Sequence, residues 1–177
     1  RIHGVESERI ARHRPNGPIV TLPEFLRRHD VPVRAFRGRL PPLTAGVAKR
    51  ITERLGIEAT FTGHGADEIL EAALPTLRRR ERAVSFLHWL DADRVGHAHG
   101  WGSTAYHRAA RQLDAAIGRL VETLDVMNDP ATLLIALADH GGGGLVARDH
   151  NSAHPLDTTI PIILAGGQVV LHVLGYG

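Results

Sequence analysis

Two short stretches carry most of the residues whose types and spacing suggest chemistry. The first, LDADRVGH over residues 90–97, follows the apolar run 86–90 and sets Asp93 and His97 in the order Asp-x-x-Gly-His. That spacing lets a carboxylate and an imidazole converge on one cation. The second, LADHGGGGLVARDHNSAHP over 137–155, releases Asp139 and His140 together, continues through four glycines and returns with His150 and His154. Glycine adopts backbone conformations that other residues resist, so the later histidines can come back to the edge that Asp139 and His140 leave. A zinc ion takes histidine nitrogen and carboxylate oxygen at about 2.0–2.2 Å. Asp93, His97, Asp139, His140 and one of His150 or His154 supply such a donor set. Nitrogen and oxygen ligands point to zinc, with manganese as the alternative.

Plainer readings stand beside each of these. Taken alone, Asp91 and Asp93 fit loop or helix-capping roles, and the glycine run fits a flexible loop. His88 lies inside an apolar strand and His107 on the exposed side of a helix, so both read as structural. The argument for a metal rests on two Asp/His clusters placed at the ends of two apolar runs. With no cysteine in the chain, thiolate sites and disulfides are excluded.

These clusters need a scaffold, and the chain supplies one. Its 177 residues, 43% hydrophobic, suffice for a single domain with its own core. No apolar run approaches the roughly 20 residues of a membrane span. The formal charge is only +2, and the basic patch Arg78, Arg79, Arg80 and Arg82 has no interleaved aromatics. A solvated helix end explains that patch better than a nucleic-acid surface.

Local signals divide the chain into alternating elements. Thr21 followed by Glu24, with Pro23 between, predicts a capped helix over 21–29. Strands are expected at 31–36 and 57–61, around a helix at 43–55 that Gly56 stops. Residues 66–80 have helical spacing, which Pro75 should kink or interrupt. A strand follows at 83–90. Ser103 then caps a long helix patterned by Tyr106, Ala109, Ala110, Leu113, Ile117, Leu120, Val121 and Leu124. Apolar runs at 132–138 and 160–166 complete the set. Strands apolar on both faces and separated by helices predict an α/β fold, a largely parallel sheet with helices on both faces. Sites in such sheets lie beyond the carboxyl ends of the strands, where both polar clusters fall.

Over residues 83–167, the order Asp-x-x-Gly-His, GW-S-x-x-Y, long helix, Asp-His-Gly, His and IPIILAGG resembles the alkaline phosphatase superfamily. The nearest likeness is to its type I phosphodiesterase and nucleotide pyrophosphatase branch. HGV (3–5) and TLPEFLRR (21–28) resemble segments that follow the nucleophile there. The resemblance implies zinc-dependent hydrolysis of small phosphate esters by two-metal phosphoryl transfer. It assigns Asp93, His97 and His150, with His154 as second choice, to one zinc, and Asp139 and His140 to the other.

In that family an aspartate and a threonine or serine nucleophile precede HGV. Thr21, Ser7 and Glu6 lie on the wrong side of HGV to replace them. The chain is therefore expected to be an incomplete alkaline phosphatase-like core, with one complete zinc site, a half-formed second and little activity by itself. A sulfatase or phosphoglycerate mutase-like member of the superfamily, or an inactive metal-binding fragment, are the alternatives. Apolar strands left uncovered would then favour aggregation.

Overall fold

A computed structural model describes residues 20–166. HGV, Glu6, Ser7 and the sequence after Gly166 lie outside them. The described residues pack as two compact units, one formed by 20–64 together with 71–88, the other by 65–70 together with 89–166.

In the first unit, helix α1 (Leu22–Arg28) begins with the expected capping box: Thr21 Oγ1 accepts the Glu24 N–H, and the Glu24 carboxylate accepts the Thr21 N–H at 2.9 Å. Two orphan donors of the first turn are thereby satisfied. Strand β1 (Val33–Arg37) leads to α2 (Pro42–Leu55), which stops at Gly56 in a left-handed conformation (φ 69°) that returns its N–H to Thr52 and Glu53. Strand β2 (Ile57–Phe61) follows, then α3 (Ala66–Leu77), whose residues up to Leu70 belong to the second unit, and β3 (Val84–His88).

These three strands form a parallel sheet in the order β2-β1-β3, with Val33 opposite both Ile57 and Val84. Val31, Val33 and Phe36 are buried beside it. Helix α3 shows the predicted stripe, with Ile69, Leu70, Ala73 and Leu74 all buried. Pro75 does not interrupt it, because it falls in the last turn, where the one hydrogen bond it removes is soon followed by the helix end.

In the second unit, α4 (Asp91–His99) precedes α5 (Thr104–Thr123), whose N-cap Ser103 accepts the Tyr106 N–H at 3.1 Å. Ala109, Ala116 and Leu120 form the buried stripe of α5. Strand β4 (Leu134–Leu137), the short α6 (Pro155–Thr158) and β5 (Ile162–Ala165) follow among the described residues.

The expectation of parallel strands fails here, since β4 and β5 pair antiparallel, with Leu134 opposite Ala165 and Leu137 opposite Ile162. A parallel partner needs a crossover that carries the chain back to the starting end of the strand, usually on a helix. The connection between β4 and β5 contains only glycine-rich loop and the four-residue α6, so the next strand runs back from the same end. Ile135, Leu137, Ile162 and Leu164 share one face of this ribbon and are 51%, 59%, 64% and 41% exposed.

Candidate metal centre

Asp91 and Asp93 occupy the first turn of α4, where the helix dipole favours carboxylates. They have separate tasks. Asp91 Oδ1 accepts the N–H of Ala66 at the start of α3, at 3.3 Å, which is the capping role open to it from sequence. Asp93 faces the opposite duty. Because α4 is helical, residues four apart share a face, and Asp93 Oδ1 stands 3.5 Å from His97 Nε2.

The glycine loop brings two more imidazoles to the same oxygen. His140 Nε2 lies 3.7 Å and His150 Nε2 4.0 Å from Asp93 Oδ1, and the two rings stack at 3.7 Å between centroids. His140 Nε2 is also 3.7 Å from Asp139 Oδ1, so this histidine stands between two carboxylates. The Asp139 side chain is 76% exposed. Asp93 Oδ1 is buried and has no hydrogen-bond partner. A buried carboxylate oxygen without a partner costs folding free energy unless a cation or donor meets it.

Backbone carbonyls orient the rings. His97 Nδ1 lies 2.9 Å from Arg148 O, and His140 Nδ1 lies 2.7 Å from Gly141 O. A carbonyl only accepts, so these contacts place a proton on Nδ1 and turn Nε2 toward Asp93. His150, its side chain 8% exposed, is pushed below the usual histidine pKa first by burial and then by the neighbouring His140 imidazole. That favours the neutral ring a metal needs.

Spacing agrees with a cation as well. Two ligand atoms about 2.0–2.2 Å from a tetrahedral ion stand about 3.3–3.6 Å apart. The separations from Asp93 Oδ1 begin within that range and extend slightly beyond it, and Asp93, His140 and His150 offer ligand atoms all within 4.8 Å of one another. His154 does something else, for its Nδ1 accepts the Leu156 N–H at 3.1 Å and caps α6.

The loop is fastened from within. Asp157, only 4% exposed, accepts the Gly144 N–H at 2.8 Å and both the N–H and hydroxyl of Ser152. The Ser152 hydroxyl holds the Asp157 carboxyl below its ordinary pKa. Gly141 and Gly142 donate to the carbonyls of Asp157 and Leu156, and a Cβ on Gly141 would sit 1.9 Å from Leu156 O. Close backbone approach, rather than flexibility, therefore explains that part of the glycine run.

Two contributors were not visible as such in the sequence. Asp157 looks like an ordinary loop acid, and only its spacing before the apolar run 160–166 marks it. Trp101 enters the sequence reading only as part of GW-S-x-x-Y, with no role of its own, yet its ring centroid lies 5.0 Å from that of His97 and 5.7 Å from that of His150.

Residues 11–169 match the family described as type I phosphodiesterase / nucleotide pyrophosphatase. The chain is 30% identical over 110 residues to GPI ethanolamine phosphate transferase 1 of Gibberella zeae, covering 62% of this chain and 11% of that protein. It is 32% identical over 105 residues to the 2,3-bisphosphoglycerate-independent phosphoglycerate mutase of a Synechococcus strain, covering 58% of this chain and 19% of the mutase. Human GPI ethanolamine phosphate transferase 1 is 31% identical over 91 residues, covering 50% of this chain and 10% of the human protein. The matched region thus spans only a small part of each relative.

Proposed function

Because this chain belongs to the type I phosphodiesterase and nucleotide pyrophosphatase family, in the alkaline phosphatase superfamily, we propose that it carries the metal-binding part of a zinc-dependent enzyme that hydrolyses small phosphate esters. The observation that carries the proposal is Asp93 Oδ1, buried, without a hydrogen-bond partner and ringed by three imidazole Nε2 atoms at 3.5–4.0 Å. Asp93, His97 and His150 hold one ion, and Asp139 and His140 contribute to a second. His140 Nε2 stands 3.7 Å from both Asp93 Oδ1 and Asp139 Oδ1, so the two donor sets adjoin.

When bound, such a pair of ions supplies Lewis-acid chemistry that lowers the pKa of an attacking hydroxyl or water and steadies a leaving oxygen. The chain's own residues do the rest of the work at this site. Arg148 O and Gly141 O hold His97 and His140 so that each presents Nε2, and burial pushes the His150 pKa down. Asp93 contributes the fixed negative charge, and exposed Asp139 faces solvent, where a phosphate ester can approach.

A second reading is transfer of the phosphoryl group to an alcohol rather than to water, favoured by the likeness to a phosphate transferase and a mutase. Metal analysis of chain purified without chelator tests the proposal. At least one zinc per chain is expected, lost in Asp93→Ala and His150→Ala and retained in His154→Ala. Absence of bound zinc, manganese or cobalt at millimolar supply would refute it. Hydrolysis of bis(p-nitrophenyl) phosphate with added glycerol separates the two readings, because a transferase diverts product to the glycerol ester.

A further inference from the structure

We propose that Trp101 is a positioning residue for this centre, an indole that sets the distance between the helix carrying Asp93 and His97 and the loop carrying His140 and His150. The proposal rests on the metal reading above for its functional meaning. Its geometric basis is independent of any ion.

The indole touches the backbone of both segments where each lacks a side chain. A Cβ on Gly96, between Asp93 and His97 in α4, would lie 2.5 Å from Trp101 Cε2. One on Gly142, two residues after His140, would lie 2.2 Å from the same ring atom, and one on Gly143 would lie 2.7 Å from Trp101 Cβ. Contacts this short mean that the two glycine backbones and the ring are already in van der Waals contact. The ring therefore fills the space that separates the two segments.

The edges of the ring meet the imidazoles. Interplanar angles of 84°, 71° and 62° to His97, His150 and His140 place the histidine rings across the indole rather than parallel to it. Edge-to-face contact restricts ring rotation, so each Nε2 is held in direction as well as in place. The main chain adds a third tie. Trp101 donates its N–H to Ala147 O at 2.8 Å, and the next carbonyl, Arg148 O, receives His97 Nδ1. The residue that spaces the segments thus also anchors the carbonyl that orients a ligand.

A smaller side chain cannot do this. Phenylalanine lacks the fused ring that carries Cε2, the atom in contact with both glycines, and leucine lacks any planar edge for the imidazoles. Either leaves a gap that the glycine backbones, free of side chains, can close by moving together.

The test uses the whole chain with Trp101→Leu and Trp101→Phe, and with Trp89→Phe as the control for loss of an indole outside the cluster. Cobalt binding is followed by its visible absorption, and histidine tautomers in the metal-free chain by long-range 1H–15N NMR. We expect Trp101→Leu to weaken cobalt binding by about tenfold or more, the range seen when groups that orient ligands are removed. Its visible band should shift, and the Nδ1–H form of His97 should be lost. Trp101→Phe should fall between leucine and wild type, and Trp89→Phe should match wild type.

Unchanged affinity, band and tautomers in Trp101→Leu would overturn the proposal. Wild type that binds no metal, yet whose Nδ1–H tautomers vanish in the leucine variant, would refute the metal reading and leave the positioning role standing. If the leucine variant does not fold by circular dichroism, the phenylalanine variant decides by the same two measurements.

Discussion

Gly96→Ala should change sign according to the residue at position 101. In an ordinary helix interior, replacing glycine with alanine gains about 0.5–1 kcal/mol, because the unfolded chain loses freedom and the helix loses none. At Gly96 the new Cβ would lie 2.5 Å from Trp101 Cε2 and 2.7 Å from two further ring atoms. Forcing a methyl group into a packed site costs about 1–3 kcal/mol. The net effect in the wild-type background is therefore a loss of up to about 2.5 kcal/mol, since the two terms oppose. In a Trp101→Leu background the obstacle is gone, and the same substitution should stabilise by about 0.5–1 kcal/mol.

The double-mutant cycle thus carries a coupling of about 1–3 kcal/mol, large enough to separate from additive behaviour. Urea unfolding monitored by circular dichroism gives all four free energies. A net change of 1 kcal/mol moves the midpoint by about 0.3–1 M. Gly118→Ala is the internal standard, because it lies in α5 with nothing within 4 Å of the added Cβ, and it should stabilise in both backgrounds. If Gly96→Ala stabilised the wild type as Gly118→Ala does, the contact between α4 and the indole would be refuted.

Further expectations follow from the same geometry. Gly141→Ala should lower the melting temperature by several degrees and abolish metal retention, because its Cβ would meet the backbone oxygen of Leu156, which cannot rotate away; a wild-type melting curve would contradict this. Asp157, held below its ordinary carboxyl pKa by Ser152, contributes stability that is full above the unfolded value near 3.9 and is lost as pH falls through its folded value. Hydrogen exchange at Gly144 should therefore accelerate below about pH 4 in wild type, whereas Asp157→Asn should show fast exchange at every pH. The apolar face formed by Ile135, Leu137, Ile162 and Leu164 should bind the dye ANS under native conditions, and Ile135→Glu with Ile162→Glu should reduce both dye fluorescence and light scattering.

Much of the secondary structure was legible because its causes are local. The Thr21–Glu24 box, the Gly56 stop and the Ser103 cap each satisfy backbone groups within a few residues, so the sequence alone names them. Asp-x-x-Gly-His was legible for a related reason: once α4 is helical, residues four apart must share a face. The direction of β5 was not legible, since a run such as IIL has the same composition in a parallel or an antiparallel pair, and the return path of the loop decides. That α3 would continue past Pro75 without interruption was not legible, because the effect of a proline depends on how many turns follow it.

The sequence by itself determined the donor types, the absence of thiolate and the family, because these depend on residue identity and order. Only the tertiary structure decided which of His150 and His154 turns toward Asp93 and which caps a helix. It also showed that Gly96 and Gly142 share one indole. Both facts arise from atoms that are far apart in the chain and meet only when the loop closes, so the physical reason they escaped the sequence is that packing, unlike capping, has no fixed spacing.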